Sequence, residues 1–144
     1  MALVHKILAV FLFVVGFLAW GLLMATPLYH DGSPEYPHWQ ILNYFMAAGV
    51  LILLVKGFLM RRAHAAQEAD GRDTIEHLRV SIAFYGSVVL AMLFYWEWFW
   101  TLNPESETGD AVTSHLVYFP IVDALFVVLC VLIGRRFWQE GSSA

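Results

Sequence analysis

The chain has 144 residues, eight basic and twelve acidic, for a formal net charge of −4. It is 60% hydrophobic and only 14% charged, with a mean hydropathy of +0.64, whereas a soluble domain carries about a quarter charged residues. That balance excludes a nucleic-acid-binding module, which needs a basic face, and it leaves one domain embedded in a lipid bilayer with no separate soluble domain.

The first apolar run, ILAVFLFVVGFLAWGLLMA at 7–25, is long enough to cross a hydrocarbon core, which takes about 20 helical residues. It exceeds the roughly 7–15 apolar residues of a signal peptide, and LLMATP is a poor small-x-small cleavage site, so it reads as a retained anchor. The connection 26–40, TPLYHDGSPEYPHWQ, contains no Lys or Arg. The second run, ILNYFMAAGVLILLVKGFLM at 41–60, carries Asn43 and Lys56. Lys56 lies five residues before Arg61, so its stem is expected to snorkel toward the surface.

The stretch 61–79, RRAHAAQEADGRDTIEHLR, mixes both signs. Asp73 and Glu76 have capping-box spacing, which suits a solvated helical extension entering the next element. The third run, VSIAFYGSVVLAMLFYWEWFW at 80–100, places Glu97 among aromatic residues. The connection 101–115, TLNPESETGDAVTSH, is again free of basic residues. The fourth run, LVYFPIVDALFVVLCVLIG at 116–134, holds Asp123 and Cys130. A single cysteine builds neither a disulfide framework nor a thiolate metal site within one chain. Cys130 therefore reads as a packing thiol.

All four runs are continuous and do not alternate, which favours helices over barrel strands. Short connections predict an all-α, antiparallel four-helix bundle. The basic residues Lys6, Lys56, Arg61, Arg62, Arg72, Arg79, Arg135 and Arg136 cluster near the two termini and the 61–79 stretch. The positive-inside rule then puts both termini and 61–79 in the cytoplasm of a bacterial inner-membrane protein, with 26–40 and 101–115 outside.

Asn43, Glu97 and Asp123 form the polar constellation. Counted from Trp39, Asn103 and Leu116, they lie about 6, 9 and 10 Å inside the outer boundary, a similar depth for all three. Each shares a helical face with small residues: Ala83 and Gly86 below Glu97, Cys130 and Gly134 below Asp123, Ala47 and Gly57 below Asn43. All three are thus expected to face protein, inside the bundle or at a partner. Around them the outer connections carry His30, Asp31, Glu35, His38, Asp110 and His115.

An intramembrane carboxylate pairs, meets water or takes up a proton. Four readings follow. Glu97 reaches the headgroups while Asp123 bonds a hydroxyl such as Ser87 or Tyr44. The acids meet a base or amide of another subunit. Glu97 and Asp123 with His38 and His115 hold copper, zinc or iron, although no HxxxH or ExxH spacing supports it. Or they conduct protons or cations, which the lack of polar residues in the inner half argues against. Haem is disfavoured because His5, His77, His38 and His115 sit at helix ends and not in facing interiors.

The six tryptophans fall near membrane boundaries, as aromatic belts do. The belt at 94–100 encircles its helix, so some of its rings must face protein. Small multidrug transporters have this size and span count but carry their key glutamate in the first span, where this chain has no acid. The Arg- and Asn-containing motif of membrane glutathione-transferase-like proteins is also absent. The sequence therefore reads as a small, non-catalytic accessory subunit of a larger respiratory, photosynthetic or monooxygenase-type membrane complex, partnered by lipid and other integral subunits. The alternative is a metal-binding or proton-handling protein that uses Glu97 and Asp123 with nearby histidines.

Overall fold

In the computed structural model the chain is all-helical: α1 (Ala2–Tyr29), α2 (Pro37–Ala66), α3 (Thr74–Thr101) and α4 (Ala111–Ser142). The structure describes residues 2–30, 36–66, 74–103 and 111–143, with side chains from 117 onward in α4. All four helices are long and apolar enough to cross a membrane. They have 28, 30, 28 and 32 residues, or about 42–48 Å at the helical rise, against a hydrocarbon core of about 30 Å. Each therefore outruns its apolar stretch. The segment 61–79 is helical through Ala66 and again from Thr74, and α4 begins at Ala111, inside the stretch read as a connection. Good helix formers such as Ala63, Ala65, Ala66 and Glu76 carry the helices outward, because a started helix propagates cheaply.

Short links make sequence neighbours antiparallel. The most extensive packing is between α1 and α4 and between α2 and α3, with α1–α2 and α3–α4 closing the ring. Across the bundle α2 meets α4, while α1 and α3 do not meet among the described residues. The end holding both termini and the α2–α3 connection is the basic end. The opposite end is the acidic one.

Two close approaches set the bundle. At Gly57 of α2, an added Cβ would stand 3.0 Å from the Ala83 carbonyl oxygen and 3.2 Å from Phe84 Cα. At Gly16 of α1, it would stand 2.9 Å from Cys130 Cβ of α4. Glycine at these points lets helix axes approach until backbones touch, which maximises dispersion contact between apolar surfaces. Around them the core is Leu12, Met46, Leu53, Leu90, Phe126 and Leu129, all at 0% exposure. Along α3 the buried residues are Val80, Ala83, Ser87, Leu90, Phe94 and Glu97, the alternating 3–4 spacing of one helical face. That stripe includes Ala83 and Ser87, both within 3.4 Å of a Cβ placed on Gly57, and ends on the acid.

The glycines differ in what surrounds them, and this yields a matched test. Gly21 has nothing within 4 Å of its virtual Cβ, so Gly21→Ala is expected to leave stability unchanged or raise it by up to about 1 kcal/mol through helix propensity. Gly57→Ala and Gly16→Ala are expected to lower it by about 1–3 kcal/mol, because rigid backbone and Cβ atoms must move apart. Thermal unfolding in detergent reads the difference, and equal effects at the three sites would contradict the close approaches.

Candidate functional site

The acidic end of the bundle gathers the predicted polar residues. Asn43, Glu97 and Asp123 are 6%, 3% and 3% exposed, so all three side chains are turned into the bundle. This removes the reading in which Glu97 reaches outward from an aromatic belt. From the approach of Gly57 to Ala83, Asn43 and Glu97 each lie fourteen residues toward the acidic end. They therefore stand level on facing helices. Tyr44 packing edge-on against Trp98, with centroids 5.3 Å apart, marks the same level.

Asp123 lies deeper. Gly86 meets Leu129, and counting outward from that contact puts Asp123 about five residues, roughly 7 Å, further inside than Glu97. The register between α2 and α4, fixed where Gly49 meets Phe126, puts it about 4–5 Å inside Asn43. The three residues expected at one depth are thus two at one level and one about a turn below. Depth counted along each helix separately misses this, because the helices extend past their apolar runs by different amounts.

Several polar side chains of the bundle have settled partners. Ser87, fully buried, donates to the Ala83 carbonyl at 2.6 Å. Its one proton is therefore spent on its own helix, so it does not serve Asp123. Tyr95 donates to the Ala47 carbonyl of α2 at 2.8 Å, and Trp39 donates from Nε1 to Thr26 Oγ1 at 3.0 Å, tying α2 to α1. The aromatic stretch divides by helical phase: Phe94 is buried, Tyr95 and Trp98 are half-buried, and Trp96, Phe99 and Trp100 are exposed.

The histidines named with these acids stand apart or lie outside the description. His38 is exposed and meets Tyr29 edge-on at 5.9 Å. The side chain of His115, and Asp31, Glu35 and Asp110, lie outside the described residues. His30 stacks on Tyr36 at 4.2 Å. Among the described residues no group of three or more His, Cys, Asp or Glu side chains converges as a metal centre.

The basic end holds an ion-pair network that the sequence reading passed over. Lys56 Nζ reaches Glu140 Oε2 at 2.5 Å and lies 4.7 Å over the Phe137 ring. Arg136 contacts Glu140 Oε1 at 3.4 Å and Glu76 Oε1 at 3.0 Å. Arg79 holds Glu76 Oε2 at 2.8 Å. His5 of α1 stands 3.9 Å from Glu140, beyond hydrogen-bond reach. The chain of contacts crosses α2, α4 and α3 and borders a cavity of about 270 Å³ lined by Lys56, Met60, His64, Glu76, Arg136 and Glu140. Lys56 does run toward the surface as a snorkelling side chain should, but it ends on a carboxylate. Its side chain is only 12% exposed, and a cation withdrawn that far from water requires a counter-charge. No spacing signal announces the pairing, because Lys56 and Glu140 are 84 residues apart.

Two histidines also meet here. His64 Nε2 and His77 Nδ1 are 3.2 Å apart, with ring centroids at 5.3 Å. They lie three residues before and four residues after the 67–73 connection, a near-symmetry that an antiparallel hairpin register makes legible in advance.

No protein-family model, no curated protein and no solved structure matches this chain. The functional reading therefore rests on the residues themselves.

The basic-end network makes a measurable claim. Glu140→Gln strands Lys56 and loosens Arg136, and is expected to lower stability by about 1–2 kcal/mol after allowance for partial solvent exposure. Lys56→Met removes the cation along with its need for a partner and is expected to be milder. A double-mutant cycle should give coupling near 1 kcal/mol that shrinks in high salt; additive effects would mean the pair contributes nothing.

Proposed function

We propose that this chain is an integral membrane protein, with both termini and the basic end in the cytoplasm. We propose further that it serves as a small, non-catalytic subunit of a larger assembly in a bacterial inner membrane. The orientation is supported by the basic residues around the termini and the 61–79 stretch and by the basic-free connections at the other end. In this reading Asn43, Glu97 and Asp123 act between helices of this chain, holding the bundle's acidic end in one arrangement, and partners meet its apolar exterior.

The observation that carries the reading is the outer face of α3. Leu78, Ile82, Tyr85, Val89, Met92, Trp96 and Phe99 are all between 47% and 69% exposed. Their spacing alternates between four and three over the length of the helix. This is the seam by which one helix docks on another at a shallow crossing angle. Tyr, Trp, Phe and Met are also the side chains enriched at protein interfaces. The exposed side chains of α1 are, by comparison, more aliphatic: Leu3, Val4, Ile7, Val10, Val14, Leu18 and Leu28, with Phe17, Trp20, Met24 and Tyr29 beside them.

A second reading is proton or metal handling by the buried acids. It is favoured by the presence of two carboxylates inside one bundle, where burial requires a proton, a cation or donors. It predicts stoichiometric copper, zinc or iron, or a proton-dependent activity, lost on Glu97→Gln or Asp123→Asn.

Photo-crosslinking in native membranes tests the first reading. A crosslinker at Tyr85 or Met92 is expected to give discrete protein adducts, while one at Val14 on α1 gives mostly lipid adducts. Met92→Ala should weaken co-purification without shifting the thermal midpoint. Lipid adducts alone from every site, with the chain migrating by itself after mild extraction, would overturn the subunit reading.

A further inference from the structure

We infer that His64 and His77 form a binding site for one borderline divalent metal ion, of the Zn²⁺, Cu²⁺ or Ni²⁺ class, bridging the basic ends of α2 and α3. The site is distinct from the buried acids and independent of whether the chain is a subunit. Both residues lie beyond the apolar runs, on helical extensions, and both are half-buried.

The geometry supplies the first support. His64 Nε2 and His77 Nδ1 are 3.2 Å apart. Imidazole nitrogens bind these metals at about 2.0–2.1 Å, and at that length a 3.2 Å separation subtends about 100° at the ion, between octahedral and tetrahedral angles. Two rings bound that way would have centroids about 4.9 Å apart, a few tenths of an ångström from the 5.3 Å seen here. Tilting the two rings toward a common point would take up that difference. In the metal-free pair one nitrogen carries a proton and donates to the other. Binding moves that proton to the other nitrogen of the same ring, since both ligating nitrogens must offer lone pairs while each imidazole stays neutral.

The surroundings supply the second. His64 lines the cavity of about 270 Å³ at the basic end, which leaves room for the waters that complete the coordination of a two-histidine site. Glu76 lines the same cavity, but its two oxygens are taken by Arg136 at 3.0 Å and Arg79 at 2.8 Å. It is therefore an outer acceptor and not a third ligand. The α2–α3 register holds the pair in place: His64 is seven residues from Gly57, and His77 six from Ala83, on the two helices that touch there. A metal at this point would clip the two helices together beside the connection that joins them.

The test uses the full chain, purified in detergent with no affinity tag. On adding Cu²⁺, electron paramagnetic resonance of the unmodified chain should show two equatorial imidazole nitrogens. Titration with Zn²⁺ should give one ion per chain and a raised thermal midpoint, since a ligand that binds only the folded state stabilises it. His64→Gln and His77→Gln should each lower Zn²⁺ affinity by more than about tenfold, a loss that even outer-sphere partners of metals commonly cause. Each should also abolish the thermal shift, and the double variant should be no weaker than either single one. His38→Gln should change nothing, and metal-free melting checks that the variants fold. A single-nitrogen copper spectrum, or Zn²⁺ affinity retained in both single variants, would overturn the site. Loss on Glu97→Gln or Asp123→Asn in place of the histidine variants would move the metal to the acidic end.

Discussion

With no Cβ at Gly57, α2 advances until its backbone is in contact with α3 at Ala83 and Phe84. That approach does more than fill space. It fixes one register for an antiparallel hairpin, and the register decides which side chains meet on either side. Toward the acidic end it levels Asn43 with Glu97 and brings Tyr44 against Trp98. Toward the basic end it brings His64 to His77. The hydroxyl of Tyr95, bound to the Ala47 carbonyl, adds a directional link across the same pair. Apolar faces alone slide at little cost, because dispersion is non-directional. The glycine gap and these polar links turn a permissive contact into a single alignment.

The two ends of the bundle handle charge by different means. At the basic end, carboxylates and cations alternate from Lys56 to Glu140, Arg136, Glu76 and Arg79, so each charge in that network meets one of opposite sign. Several members are partly exposed, and each exposed pair alone contributes little. As a network it joins three helices, and its geometry resists one helix sliding past another. At the acidic end, Asn43, Glu97 and Asp123 are withdrawn from the surface, with no basic side chain among the described residues at their level. Here the polar groups are enclosed by the bundle, and a wrong helix alignment would leave a carboxylate against hydrocarbon-like side chains, at a cost of several kcal/mol.

Much of this was legible in the residues. The helix number follows from four continuous apolar runs, and the stripes of Ala83, Leu90 and Glu97 or of Asp123 and Cys130 follow from helical phase; all five are buried. What phase cannot supply is register between helices, since it depends on a close approach such as Gly16 against Cys130. Hence the depth of Asp123 relative to Glu97 was not readable from distances along single helices. Lys56 illustrates the same limit. Its direction could be read from its own helix, but its partner lies on the last one. The His64–His77 pair is the intermediate case: it straddles one short connection, so its meeting needs only the hairpin, and its nearly even spacing about 67–73 was available to inspection.

An interior that absorbs its polar groups has a consequence for the exterior. Once Asn43, Ser87, Glu97 and Asp123 are turned inward, what remains on the outer face of α3 is the row from Leu78 to Phe99. An aromatic belt confined to one level would serve the interface between lipid and water. This row instead runs from the basic extension to the acidic end, with Tyr85 well inside the apolar run and Met92 near its middle. A helix surrounded only by lipid gains nothing from that continuity, because hydrocarbon packs as readily against Leu as against Tyr or Met. A neighbouring helix does gain, since alternating large side chains at 3–4 spacing form the knobs and holes that fix one docking geometry. The same spacing appears on the buried face of α3, where it builds the bundle. The helix thus carries the same spacing on two opposite sides, one used within the chain and one that, in the proposed reading, a partner would take.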